Sequence, residues 1–144
     1  MKIKDIDVPK SVYIYGENHT IPEEVERIRN AVVRLNPDVI IHELYWEDKE
    51  FYNDALPNVD VLPLEDEVKY NDDLRSQFEK REVSMVKHLN NVVNDCRYQT
   101  IAVVVGDTHL RTIETNDLGN VSPLIKWAKD NNAQVIRSSY KEIK

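Results

Sequence analysis

The chain is poor in the residues that support several common designs. Of its 144 residues, one is cysteine, three are glycine and two are phenylalanine. A lone cysteine, Cys96, cannot close an intramolecular disulfide and excludes a cysteine-rich metal cluster. No apolar run approaches the roughly 18 residues that a membrane helix requires. The first residues, Met1-Lys2-Ile3-Lys4-Asp5, are charged rather than apolar, which predicts no signal peptide. The expected address is the cytoplasm, or a host cytoplasm for a phage-encoded chain. Positive charge is also short. The 19 Lys and Arg face 26 Asp and Glu, for a net charge of −7, which argues against a broad basic surface for nucleic acid while leaving room for a local phosphate pocket. The expected partner is a small-molecule or peptide substrate, with no nucleic acid and no membrane, and no oligomeric state is legible. What is present suits one globular domain over residues 1–144, with 41% hydrophobic residues to build its core.

Two of the three glycines fall in a repeated pattern. Val12-Tyr13-Ile14-Tyr15-Gly16-Glu17-Asn18-His19 and Val103-Val104-Val105-Gly106-Asp107-Thr108-His109 both read as a buried strand followed by Gly-acid-polar-His. The glycines are expected to let the backbone turn off the strand and approach a ligand closely.

The rest of the chain alternates strand and helix. Ser11–Tyr15 reads as a strand. A helix follows, with Thr20 and Glu23 as a capping box and apolar residues at Ile21, Val25, Ile28, Val32 and Leu35. Asn36-Pro37 ends it. Val39-Ile40-Ile41-His42-Glu43 is a second strand, joined to the first as a parallel βαβ unit. Residues 45–58 read as a loop with a short helix, Val59–Leu64 as a strand weakened by Pro63, and Glu65–Asp73 as an acidic loop. The longest helix is expected from about Asp73 to Asp95, with Leu74, Phe78, Met85, Leu89, Val92 and Cys96 inward. Arg81 interrupts that stripe. Thr100–Val105 is the fourth strand. Ser122-Pro123 caps a helix to about Asn131, and Ala133–Arg137 is the fifth strand. Residues 1–10 and 138–144 read as a polar lead-in and tail. This order predicts an α/β three-layer sandwich: a mostly parallel sheet of about five strands, with helices on both faces.

Ligands in such sheets bind beyond the carboxyl ends of the strands. His19, Glu43, Glu65 and His109 all fall at that edge. Two imidazoles and a carboxylate match a His2Glu metal set, with His19, Glu43 and His109 as ligands of one divalent ion. Without a metal, the same groups are an acid–base pair near neutral pH. Arg81 can pair with Glu43 or stabilise an anion. Glu17 and Asp107 are expected to orient the imidazoles or to open helices, and Glu65 to join the rim. His42 should point to the face opposite Glu43, as a packed or partly exposed residue.

These motifs resemble the TraB/GumN–TIKI–ChaN–erythromycin esterase group. Gly16-Glu17-Asn18-His19 is similar to the first motif of the ChaN and esterase branches, and Gly106-Asp107-Thr108-His109-Leu110 to the Gly-x-x-His-Leu of the TraB/GumN branch. Arg81-Glu82-Val83-Ser84-Met85 matches the helical Arg-x-x-x-Met pattern between them. The resemblance spans residues 11–110. It implies an α/β cleft where His19, Glu43 and His109 act as ligands or acid–base groups beside Arg81. It implies peptide hydrolysis with manganese or cobalt in one branch and metal-free ester hydrolysis in another. The chain lacks the long helical insertions of larger relatives, so the substrate does not carry over. The expectation is a small hydrolase acting on a peptide, amide or ester bond, assisted by manganese, cobalt or zinc. The alternative is a non-catalytic protein that sequesters a ligand in the same cleft.

Overall fold

Tight parallel pairing dominates the chain. In a computed structural model, which describes residues 10–65, 74–111 and 122–137, five strands form one sheet: β1 (Ser11–Glu17), β2 (Val39–His42), β3 (Asp60–Pro63), β4 (Thr100–Gly106) and β5 (Gln134–Ile136). Their order is β3-β2-β4-β1-β5, and every pairing is parallel. The helices are α1 (Pro22–Leu35), α2 (Tyr45–Ala55), α3 (Leu74–Val93), the short α4 (Asp107–Arg111) and α5 (Pro123–Asp130).

Strand alternation sorts the core into two layers. On one face Ile101, Val103 and Val105 of β4 pack with Met85, Leu89 and Val92 of α3, Leu110 of α4 and Leu124, Ile125 and Trp127 of α5. On the other, Ala102 and Val104 pack with Ile28 and Val32 of α1 and Tyr52 of α2. A strand covered on both faces must be apolar throughout, and residues 101–105 of β4 are all buried. From β1 to β3 the chain moves one way across the sheet with α1 and α2 on one face. It then returns through α3 and continues to β5 with α4 and α5 on the other face. Reversing direction and face together preserves one crossover hand. This is the α/β sandwich expected from the sequence. Among the described residues no helix is long and apolar enough to cross a membrane.

β1 and β2 are parallel, as expected, with β4 between them. Several local expectations are corrected. Thr20 does not cap α1. The N-cap is Ile21, with no side-chain bond, and Thr20 instead bonds Asn18 in a local turn. Residues 45–55 form an 11-residue helix rather than mostly loop. Its buried positions, Asp48 and Tyr52, are four apart, and a polar residue at the first of them conceals the period. Cys96 is exposed, since α3 ends at Val93 and the stripe stops with it. Pro63 is accommodated because β3 is an edge strand. Two expectations are met. Asn36 ends α1 in the left-handed conformation, and the Ser122 side chain accepts the Ile125 amide at the start of α5. The polar lead-in up to Pro9, residues 66–73 of the acidic loop and the tail from Ser138 lie outside the described residues, as do the expected helix start at Asp73 and the inward placement of the Leu74 and Phe78 side chains.

Candidate functional site

Four elements deliver side chains to the carboxyl edge of the sheet. β1 and β4 are neighbours, and the chain leaves them toward opposite faces, so a crevice opens beyond their ends. His19 follows β1 and His109 lies in α4 directly after β4. Glu43 follows β2, and Arg81 and Glu82 come from α3.

Glu43 is the centre. Its Oε1 accepts the Gly106 amide at 2.6 Å and faces His19 Nε2 at 3.6 Å. Its Oε2 accepts from Arg81 and faces His109 Nε2 at 3.5 Å. Each imidazole is anchored from behind. His19 Nδ1 bonds Glu17 Oε1 at 2.8 Å, and His109 Nδ1 bonds Glu82 Oε2 at 2.9 Å. Both anchoring carboxylates are 1% exposed. A carboxylate at Nδ1 fixes the ring orientation and turns Nε2 toward the site. Glu82 is itself held by the Ser122 hydroxyl and by the Leu124 amide at 3.1 Å, at the start of α5. Arg81 spans Glu43 and Glu65, with Glu65 oxygens 2.8–3.0 Å away.

The two motif glycines make room for each other's motif. A Cβ on Gly106 would lie 3.2 Å from both Glu43 Oε1 and His19 Nε2. A Cβ on Gly16 would collide with Asp107 Oδ1 and lie 2.8 Å from Leu110 Cδ1. Both glycines are strand residues, and neither has the left-handed backbone expected of a sharp turn. Close approach of the motifs to each other, rather than the turn itself, explains them.

The motif acids do not play equivalent parts. Glu17 orients His19, as one expectation had it. Asp107 does not orient His109. It opens α4 and pairs with Arg137 at 2.9 and 3.2 Å. Glu82 does for His109 what Glu17 does for His19. Sequence reasoning missed Glu82, Ser122 and Arg137, since their bonds join residues 27, 40 and 30 positions apart. The only local clue to Glu82 was its place beside Arg81.

Charge sets the protonation. Burial pulls the His19 imidazole down, but Glu17 and Glu43 outweigh it and hold it up at about 9. Burial likewise lowers His109, and Glu43 and Glu82 raise it above its ordinary value. Burial pushes the Glu43 carboxyl up, but His109, His19 and the Gly106 amide hold it well below the usual carboxylate range.

A divalent metal fits the donor chemistry. Two Nδ1-anchored imidazoles and a carboxylate are suitable ligands, and His19 Nε2 is buried without a hydrogen-bond partner. Neighbouring ligand atoms around a tetrahedral ion with bonds of about 2.0–2.1 Å sit roughly 3.4 Å apart. The observed 3.6 and 3.5 Å are close to that for each imidazole against Glu43, but they run to different oxygens of Glu43. His19, Glu43 and His109 do not bring one ligand atom each within 4.8 Å of one another, so the three are not gathered as a single ion requires. Among the described residues, the His/Asp/Glu trio whose ligand atoms all lie within 4.8 Å of one another is a different one: Glu17, His42 and Asp48. That trio does not suit a metal. His42 Nδ1 accepts the Leu44 amide at 2.9 Å, so the proton is on Nε2, which donates to Asp48 Oδ2 at 3.1 Å. A protonated nitrogen has no lone pair for an ion.

Comparison with family models, curated proteins and solved structures returns no match for this chain.

Proposed function

We propose that this chain is a small hydrolase of the kind its motifs resemble, the TraB/GumN–TIKI–ChaN–erythromycin esterase group. Its substrate class is a peptide, amide or ester bond, and His19, Glu43 and His109 activate water for the attack. The observation that carries this reading is the pair of imidazoles, each backed by its own buried carboxylate, turned onto opposite oxygens of Glu43.

Each residue has a distinct task. The His19 side chain is 29% exposed and that of His109 2%, so His19 is the more accessible of the two. Only after losing the proton that Glu17 and Glu43 hold on it up to about pH 9 can its Nε2 take one from water. Glu17 stabilises the imidazolium that forms. His109, deeper and tied to Glu82, holds a proton that it can give to the departing group. Arg81 and the Gly106 amide keep Glu43 ionised and in place. In a metal-assisted form the roles change: drawn together, His19, Glu43 and His109 would hold a divalent ion such as manganese, cobalt or zinc through the same atoms that otherwise carry protons, and the ion would supply Lewis-acid polarisation of the scissile carbonyl and of water.

A second reading is a non-catalytic binder that sequesters a small ligand or peptide in the cleft. What favours it is that both Glu43 oxygens are already engaged, by the Gly106 amide and by Arg81, so the carboxylate is partnered without turnover.

Metal content separates the two. Protein purified without a His tag is expected to hold one divalent ion per chain, lost in both His19→Ala and His109→Ala. Metal content unchanged in both variants, together with retention of a co-purifying ligand and no turnover, favours the binder.

A further inference from the structure

His42 sits beside Glu43 in sequence but on the other side of the sheet, and it is fully buried. Its ring packs 5.7 Å from that of Tyr52, and both ring nitrogens are occupied. Nδ1 accepts the Leu44 amide at 2.9 Å. Nε2 donates to Asp48 Oδ2 at 3.1 Å. Asp48 Oδ1 in turn accepts Arg29 of α1 at 2.6 Å. The bond to Leu44 spans Glu43, so the imidazole closes a small ring around that residue's backbone. Glu43's own amide donates to Val104 O at 2.9 Å. The backbone of Glu43 is thus held on both sides, by β4 and by the His42 ring.

We infer that His42 is a positioning residue for Glu43: its imidazole, fixed in one tautomer by Asp48, holds the Leu44 amide and so aims the Glu43 carboxylate at Gly106 and the two histidines. Asp48 and Arg29 make this a chain of contacts from α1 through α2 to the end of β2. Without Asp48 to take the Nε2 proton, the ring could adopt the tautomer that donates at Nδ1, and two N–H groups would then face each other. The importance of this device rests on the reading of Glu43 as a working carboxylate, but its test does not depend on hydrolysis or on metal.

The reporter is the Gly106 amide, whose bond to Glu43 Oε1 exists only when the carboxylate is correctly aimed. Two variants divide the roles of the ring. In His42→Asn the side-chain oxygen lies near the Nδ1 position and can accept the Leu44 amide, but it cannot reach Asp48. In His42→Gln the amide nitrogen can reach Asp48, but nothing accepts from Leu44. The expected result is that His42→Asn keeps the wild-type Gly106 amide shift, while His42→Gln loses it and exchanges that proton at least about ten-fold faster, the equivalent of one lost hydrogen bond. A role in packing alone gives the opposite order, since Asn leaves the larger void. That order, or an unchanged Gly106 amide in His42→Gln, would overturn the inference. Should neither variant fold, long-range proton–nitrogen spectra of the unaltered protein decide it: a proton on Nε2 and a bare Nδ1 are expected, and a proton on Nδ1 would overturn it. Failure of the hydrolase reading shows elsewhere, in metal content and turnover, with the Gly106 reporter unaffected.

Discussion

His19 reaches into the space left by the missing side chain of Gly106, its Nε2 3.2 Å from where a Cβ would stand. The converse holds at Gly16, where Asp107 and Leu110 of the second motif take the space. The two substitutions should therefore differ. Gly16→Ala forces a buried carboxylate and a buried leucine to shift, and should cost about 1–3 kcal/mol of stability. Gly106→Ala asks only a few tenths of an ångström of Glu43 and His19. It should leave the melting temperature nearly unchanged and lower activity. Thermal denaturation of the two variants checks this, and equal losses of stability would contradict it.

Glu82 connects His109 to α5. Replacing it by Gln keeps the shape but puts an amide nitrogen where one of three donors now points. The expected cost is about 1–3 kcal/mol, because a buried donor is left without its acceptor. A metal-dependent activity should also fall about 10–100-fold, as is usual when an imidazole loses its outer partner. Chemical denaturation and metal titration of Glu82→Gln measure the two effects separately.

The sequence made the sheet legible because both β1 and β4 are apolar along their length, and helices of the right period separate the strands. It made the edge legible because His19, Glu43, Glu65 and His109 each end or follow a strand. It understated the helix at 45–55 as a short helix within a loop, because Asp48 occupies an inward position by pairing with His42 and Arg29. It did not reveal which acid serves which histidine. Glu17 and Asp107 are equivalent in the pattern, yet α3 brings Glu82 to His109 and frees Asp107 to pair with Arg137. Those choices are made by helix packing between distant segments, and no local spacing encodes them.

Arg81 joins Glu43 to Glu65 across the crevice. Arg81→Met leaves two nearly buried carboxylates facing each other without their cation. The expected loss is about 3–5 kcal/mol, the usual result of removing one partner from a buried ion pair. Arg81→Lys should recover part of the stability, since a single ammonium cannot match the several guanidinium contacts. Equal stability of Arg81→Met and the wild type would show that the pairing is incidental.

The pH dependence follows from His19 and Asp48. The folded-state value of His19 is raised to about 9, so its contribution is complete below its unfolded value near 6.5 and is lost as pH rises through 9. At most this is about 3 kcal/mol. Asp48 is pushed up by burial, but His42 and Arg29 bring it down to about 2. Its contribution is complete above roughly 4 and is lost as pH falls toward 2. Metal-free protein should therefore be most stable between about pH 4 and 6.5 as far as these two groups are concerned. Denaturation midpoints across pH 2–10 test this, and a midpoint that rises from pH 7 to 9 would contradict the His19 assignment. Metal binding should show the same protons from the other side. Near pH 7 a divalent ion must displace them from His19 and His109, so its affinity should increase with pH, with up to about two protons released per ion.

The most direct test of the central claim is turnover of an ester, an amide and a phosphoester panel by the wild type, His19→Ala, His109→Ala and Glu43→Gln, each with and without added manganese, cobalt or zinc. Hydrolysis of an ester or amide by the wild type, reduced at least about 100-fold in all three folded variants, is the predicted result, in keeping with the usual yield of positioned acid–base groups. Wild-type turnover that persists in every variant would contradict the assignment of His19, Glu43 and His109 as the groups that activate water.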